Sequence, residues 1–175
     1  RIVDENLLDV AHDGKAPGEI VVRAPWLTQG YFKNPTASEE LWSGGYLHTN
    51  DIGTIDPDGY LQVTDRIKDV IKTGGEWVSS LELEDVISRH PAVSEVAVIG
   101  VKDAKWGERP MALVVLKADA RADEAEIKAH VKGFAEKGGI SKFAIPERVL
   151  IVQGIDKTSV GKLNKKGLRQ KFDGA

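Results

Sequence analysis

Residues 65–85 read DRIKDVIKTGGEWVSSLELED, and the character of the chain changes across them. Gly74 and Gly75 are adjacent in this stretch; such a pair lets the backbone turn at positive φ or pass close to a ligand, and most such pairs are only turns. Ser79 and Ser80 follow, either of which suits a helix N-cap because a serine oxygen accepts a hydrogen bond from an otherwise unpaired N–H of the first turn. The helix predicted from Leu81 to His90 carries Leu83, Val86 and Ile87 on one face and meets Pro91 just beyond its end.

Downstream, strands and helices are mixed. Glu95–Val101 and Met111–Lys117 read as strands, and Asp123 starts a second helix on which Ile127, Val131 and Phe134 recur at helical spacing before Gly138-Gly139. A third strand is predicted over Arg148–Gln153 and a last short helix over Leu163–Phe172. Upstream, short strands and turns prevail: a strand-like run over Ile2–Leu8, a strand over Gly18–Ala24, and an irregular aromatic segment over Pro25–Pro35 with Trp26, Tyr31 and Phe32. Ile52–Ile55 and Tyr60–Val63 flank Asp56-Pro57-Asp58-Gly59, a hairpin turn in which proline presets φ and glycine accepts φ > 0. The predicted fold class is therefore α+β: a small β-rich lobe over residues 1–66, then a compact α+β domain over 67–175 with a central three-stranded sheet and flanking helices. The second lobe is large enough to fold alone, whereas the first is marginal by size.

The bulk numbers set limits on function. The chain has 175 residues, 41% apolar and 29% charged, with a formal net charge of -3, values ordinary for a globular protein. The longest apolar runs, Val96–Val101 and Met111–Leu116, fit buried strands and are far short of a membrane-spanning helix. With no cysteine there is neither a disulfide nor a Cys-based zinc site. The four histidines, His12, His48, His90 and His130, lack metal-ligand spacing, and no metal is assigned to protein ligands. No signal-peptide pattern is present, so a cytoplasmic setting is the default. The sequence starts at Arg1 without a methionine and runs straight into a strand-like segment, which reads as a piece of something larger.

Several residues have both a chemical and a plainly structural reading. Asp51 follows Thr49 and Asn50 at a strand entrance; it is either a turn aspartate bonding its own backbone or a carboxylate accepting two hydrogen bonds from a ribose diol. Arg66, just past the hairpin, is placed to donate to the same sugar. Trp77 is more often core than ligand-stacking at such a position. Lys162 follows Gly161 and invites a P-loop reading, which fails because that loop needs glycine at Asp156 and Ser or Thr at Leu163. Lys162, Lys165, Lys166 and Arg169 recur at helical spacing as a basic stripe, read as a solvated face. Nucleic-acid binding is disfavoured because the chain is acidic overall and the stripe lacks interleaved aromatics.

In combination the motifs say more. Gly30-Tyr31-Phe32-Lys33-Asn34-Pro35, then YLHTND at 46–51, then residues 65–85, then KTSVGKLNKKGLR at 157–169, resemble in order the adenylate-forming superfamily of acyl-CoA synthetases, peptide-synthetase adenylation domains and firefly luciferase. The wording GGEWVSS looks most like the medium- to long-chain fatty acyl-CoA ligase branch. The resemblance implies a two-step reaction: a carboxylate attacks the α-phosphate of MgATP to give acyl-adenylate and pyrophosphate, and the thiol of CoA then displaces AMP. It implies nucleotide binding by Asp51, Val63 and Arg66, a catalytic lysine at Lys162, a hinge at Lys68, and a CoA path along Lys72, Gly74, Gly75, Glu76 and Trp77. The phosphate loop, the acyl pocket and the magnesium-holding glutamate of the family lie upstream of these residues, so Mg2+ is held by phosphates and by groups outside this chain, and the piece alone is expected to be inactive. Residues 1–65 are then expected to expose apolar surface around Trp26, Leu27, Tyr31 and Phe32 and to self-associate.

Two departures stand out. The family's usual Arg-Thr-Gly-Asp is His48-Thr49-Asn50-Asp51, in which Asn tolerates the positive φ of the replaced glycine. A proline usual before the last lysine motif is Asp156 here, a change expected to loosen that loop. Two other readings stay open: a carrier-protein-loading adenylation domain, which shares the hinge and the lysine, and a non-catalytic nucleotide- or nucleic-acid-binding module.

Overall fold

The computed structural model describes residues 1–172. The chain forms two compact units, Arg1–Lys68 and a second that begins at Asp69.

The first unit is a four-stranded antiparallel sheet of β1 (Ile2–Val3), β2 (Gly18–Val22), β3 (Leu47–Ile55) and β4 (Leu61–Arg66), in that spatial order. The run predicted to stay extended to Leu8 leaves the sheet after Val3. The Asp4 carboxylate accepts the N–H groups of Asn6 and Leu8 at 2.8 and 2.9 Å, folding the chain back on itself. The β3–β4 connection forms as its sequence dictates: Asp56 Oδ1 accepts from the N–H groups of Asp58 and Tyr60, and Gly59 sits at φ 89°. A short helix, α1 (Pro35–Leu41), follows the irregular segment where no element was predicted. Asn34 caps it through the Ala37 N–H, and Pro35 fills the first turn, where a missing N–H costs nothing.

The second unit carries five strands rather than the predicted three. These are β5 (Ile71–Thr73), β6 (Glu76–Val78), β7 (Val93–Asp103), β8 (Gly107–Leu116) and β9 (Arg148–Ile151), ordered β6-β5-β8-β7 with β9 parallel to β8. The addition is the tight hairpin over residues 71–78, which joins β8 through the Thr73–Gly107 pair. Three helices complete the unit: α2 (Ser80–Ser88), α3 (Glu124–Glu136) and α4 (Lys165–Phe172). Ser79 is the N-cap of α2, accepting the Glu82 N–H, and Asp123 with Glu126 forms a full capping box on α3.

β7 and β8 are buried on both faces, which explains their unbroken apolar runs. Val96, Val98, Ala112 and Val114 pack with Leu83, Val86 and Ile87 of α2 and Ile127 and Val131 of α3. The alternate residues Ala97, Ile99, Met111 and Leu113 pack with Ile155 and Leu168. Two hydrophobic cores thus share one sheet.

Candidate functional site

In the first unit the site is built on an irregular stretch of β3. Asn50 sits at φ 60°, the left-handed region that asparagine tolerates better than most residues, so the turn forms without the glycine. Its N–H is accepted by Glu19 Oε1 at 3.1 Å, while Glu19 Oε2 lies 2.7 Å from His48 Nδ1. His48 Nε2 in turn lies 3.1 Å from the Ser43 carbonyl. The Thr49 hydroxyl donates to the Ile20 carbonyl and accepts from the Asp51 N–H. Ile67 N–H closes the arrangement on the Asn50 carbonyl at 2.9 Å. Glu19 and His48 are the pair that sequence reading missed; their signal is a carboxylate in a strand otherwise apolar, facing a basic side chain just ahead of the acidic turn.

The result is a carboxylate held in a defined place. Asp51 pairs across the strands with Arg66, whose Nε is 3.2 Å from Asp51 Oδ1. A bulge shifts the register so that Gly53 faces Val63, returning Val63 to the face that carries Asp51 and Arg66. Ile52 and Asp65 occupy the buried face instead. The carboxylate, the guanidinium and the apolar Val63 side chain therefore share one accessible surface.

The second unit presents two separate turns. At the tip of the β5–β6 hairpin Gly74 and Gly75 sit at φ 60° and 85°, the geometry two-residue hairpins prefer. They do different jobs. A Cβ on Gly74 would stand 3.0 Å from Phe143 and 3.1 Å from Trp106, whereas one on Gly75 would meet nothing within 4 Å. Gly74 is packed from below and Gly75 has an open side. The Gly74 N–H donates to the Trp106 carbonyl at 3.0 Å, and the Lys72 N–H to Glu108 at 2.9 Å. Glu76 accepts from the Ser141 hydroxyl at 2.7 Å. Trp77 is half-buried, with Lys72 Nζ 5.0 Å from its ring. Trp106 and Phe143, in an edge-on contact at 5.7 Å, were not singled out from sequence because they arrive from the distant β7–β8 turn and a 3₁₀ turn over Lys142–Ala144. Trp106 is fixed by Asp103, whose carboxyl is held below its ordinary range by the N–H groups of Trp106 and Lys105.

The other turn carries Lys162. Lys157 bridges Leu163, the Thr158 N–H donates to the Lys162 carbonyl at 2.7 Å, and the Gly161 N–H donates to Thr158 with Gly161 at φ 80°. Asn164 N–H closes the base on the Asp156 carbonyl at 2.9 Å, so aspartate in place of proline leaves this hairpin closed rather than loose. Lys162 itself is exposed, and its ammonium has no partner among the described residues. The basic stripe is only half a solvated face: Lys162 and Lys166 are exposed, but the other two residues are not. Lys165 is buried, 2.7 Å from both Glu84 and the Ser80 hydroxyl, and Arg169 pairs with Asp69 at 2.9 Å. Helical spacing gave no hint of these partners because they lie on other elements. Lys68, the last residue of the first unit, is exposed.

Residues 82–162, from α2 to the exposed lysine, match the AMP-binding enzyme C-terminal domain. The chain belongs to the adenylate-forming superfamily. A long-chain-fatty-acid–CoA ligase of Thermus thermophilus is 39% identical over 173 residues, covering 98% of this chain and 31% of that protein. A 3-methylmercaptopropionyl-CoA ligase of Ruegeria lacuscaerulensis is 41% identical over 175 residues, again covering 31% of the relative. Among solved structures, ATP-bound MatB from Rhodopseudomonas palustris matches 98% of this chain and 33% of its own, with a TM-score of 0.81 and 32% identity. The chain thus spans about a third of the length of the adenylate-forming relatives it matches. No helix among the described residues is long and apolar enough to cross a membrane.

Proposed function

We propose that this chain is the C-terminal part of an AMP-forming acid–CoA ligase, the end of a large adenylation domain followed by a mobile domain. It serves an enzyme that activates a carboxylic acid, of the fatty-acid class, with ATP and passes the acyl group to CoA in the cytoplasm. The observation that carries this reading is the exposed ammonium of Lys162 on a closed hairpin, without a partner among the described residues, in a chain that also holds Asp51 against Arg66. A compact, mobile cation suits transient contact with a carboxylate and a phosphate.

In the adenylation step the Asp51 carboxylate, an acceptor only, takes hydrogen bonds from the ribose hydroxyls. Arg66 orients that carboxylate and donates alongside it, and Val63 offers an apolar edge to the nucleoside. Lys162 approaches the reacting carboxylate and the α-phosphate and offsets charge as it builds on the phosphoryl oxygens; one such preorganised donor is worth about 2.7–4 kcal/mol of barrier. Backbone rotation at Lys68 then withdraws Lys162 and brings in the hairpin of Lys72, Gly74, Gly75, Glu76 and Trp77. The open side of Gly75 leaves room for the slender pantetheine arm of CoA, which a side chain there would crowd. Among the described residues no group of three or more His, Cys, Asp or Glu side chains is placed to hold a metal ion. The relatives' names span long-chain fatty, 3-methylmercaptopropionic and cinnamic acids, which leaves the particular acid to residues outside this chain.

The test is Lys162→Ala in the full-length protein. Pyrophosphate release on mixing acid and ATP should fall by about 10²–10³, while thioester formation from supplied acyl-adenylate continues. Unchanged pyrophosphate release would remove Lys162 from the reaction. Presenting CoA or a carrier protein to the same enzyme identifies the acceptor.

A further inference from the structure

Lys165 is the only buried lysine or arginine among the described residues. Its ammonium donates to the Ser80 hydroxyl at 2.7 Å and pairs with Glu84 Oε1 at 2.7 Å. The same carboxylate oxygen accepts the Val98 N–H of β7 at 2.8 Å. The first residue of α4, the first two turns of α2 and the middle of β7 therefore converge on one oxygen. One turn further along α4, Arg169 pairs with Asp69, the residue after Lys68.

A buried ion pair is a poor device for stability alone, since desolvation offsets much of its attraction and a well-packed apolar pair often does as well. Register is what it adds: charged hydrogen bonds have fixed length and direction, so a shift of α4 leaves a buried charge unpaired. The position of α4 matters because its first residue stands three places after Lys162, directly behind the closed Lys157–Leu163 hairpin. Leu163, at the end of that hairpin, packs on the second core, so the hairpin base is held from both sides.

We propose that Lys165 is a positioning residue for the adenylation half-reaction: its bonds to Glu84 and Ser80 fix where α4 begins and so where the hairpin presents Lys162. This rests on the role proposed above for Lys162. A purely fold-stabilising lysine would serve both half-reactions alike, because the same unit carries the Lys72–Trp77 hairpin. A positioning lysine favours one of them.

The experiment compares Lys165→Met, Glu84→Gln, the double variant and Lys162→Ala in the full-length protein. Pyrophosphate release, thioester formation from supplied acyl-adenylate and thermal unfolding are followed in each. Lys165→Met is expected to lower kcat for pyrophosphate release about tenfold or more, as small misplacements of reacting groups do. The KM for ATP and the thioester step should stay within about threefold, since the Asp51 surface and the other hairpin are untouched. Glu84→Gln should show the same preference at smaller size, and the double variant should lose little beyond Lys165→Met because the two residues act as one unit. Equal losses in both half-reactions, or unchanged pyrophosphate release in either single variant, overturn the proposal. Should Lys165→Met not fold, the isosteric Glu84→Gln decides by the same criterion. If Lys162→Ala leaves pyrophosphate release intact, the underlying reading has failed instead.

Discussion

The two units dispose of their apolar side chains in opposite ways. In the first, Trp26, Phe32 and Tyr60 are 83%, 89% and 74% exposed, and Leu61 and Val63 lie at least half in solvent. In the second, two clusters of buried residues close over both faces of one sheet, and the exposed large hydrophobics are Leu81, Ile151 and Val160. Charge divides as well: residues 1–68 hold eleven acidic and six basic side chains, and residues 69–175 hold sixteen and eighteen. The second unit closes its own core on both faces of the sheet, and Gly75 and Lys162 lie exposed on its turns. The first leaves Trp26, Phe32 and Tyr60 at its surface, and contiguous apolar exposure of this kind in general marks an interaction site.

Expressing the units separately tests this contrast most severely. Residues 69–175 should unfold cooperatively with denaturant, while residues 1–68 should bind an apolar dye and self-associate. A monomeric, dye-silent lobe of residues 1–68 would break the comparison. A smaller effect sharpens it within the intact chain. Leu83→Ala, at a side chain 1% exposed, should cost about 2–5 kcal/mol of unfolding free energy. Trp26→Ala, despite removing a larger group, should stay within about 0.5 kcal/mol. Matching losses at the two sites would mean that Trp26 is covered in solution.

The smallest effect concerns pH. Hydrogen bonds from Lys128 and from the Val149 N–H hold the Glu124 carboxyl below its ordinary range. A depressed carboxyl stabilises the fold above its unfolded pKa, and that contribution disappears as pH falls through the folded value. Glu124→Gln should therefore lower Tm slightly at neutral pH, with the difference closing in acid. A gap that widened on acidification would contradict the assignment.

Sequence made the second unit legible wherever the signal was local. Asp123 as a cap, with Ile127 and Val131 at helical spacing, marked α3 correctly, and continuous apolar runs marked β7 and β8. The β5–β6 hairpin escaped because three-residue strands are too short for a period and Thr73 finds its sheet partner at Gly107. α1 escaped for its length, although Asn34-Pro35 advertised its start. At the site, the Asp51–Arg66 pairing could be anticipated from the hairpin between them. The burial of Lys165 could not, because its hydroxyl partner Ser80 is 85 residues away in sequence and period alone assigns a lysine to water.

Glu84 has one consequence beyond the site. β7, eleven residues long, is the last strand on its side of the sheet, and an edge of that length, left uncovered, is a template on which a foreign strand can add. Its Val98 N–H, near the middle, is already taken by Glu84. The carboxylate that seats Lys165 thus also helps to cover the middle of that edge, where Ala97, Val98 and Ile99 are fully buried.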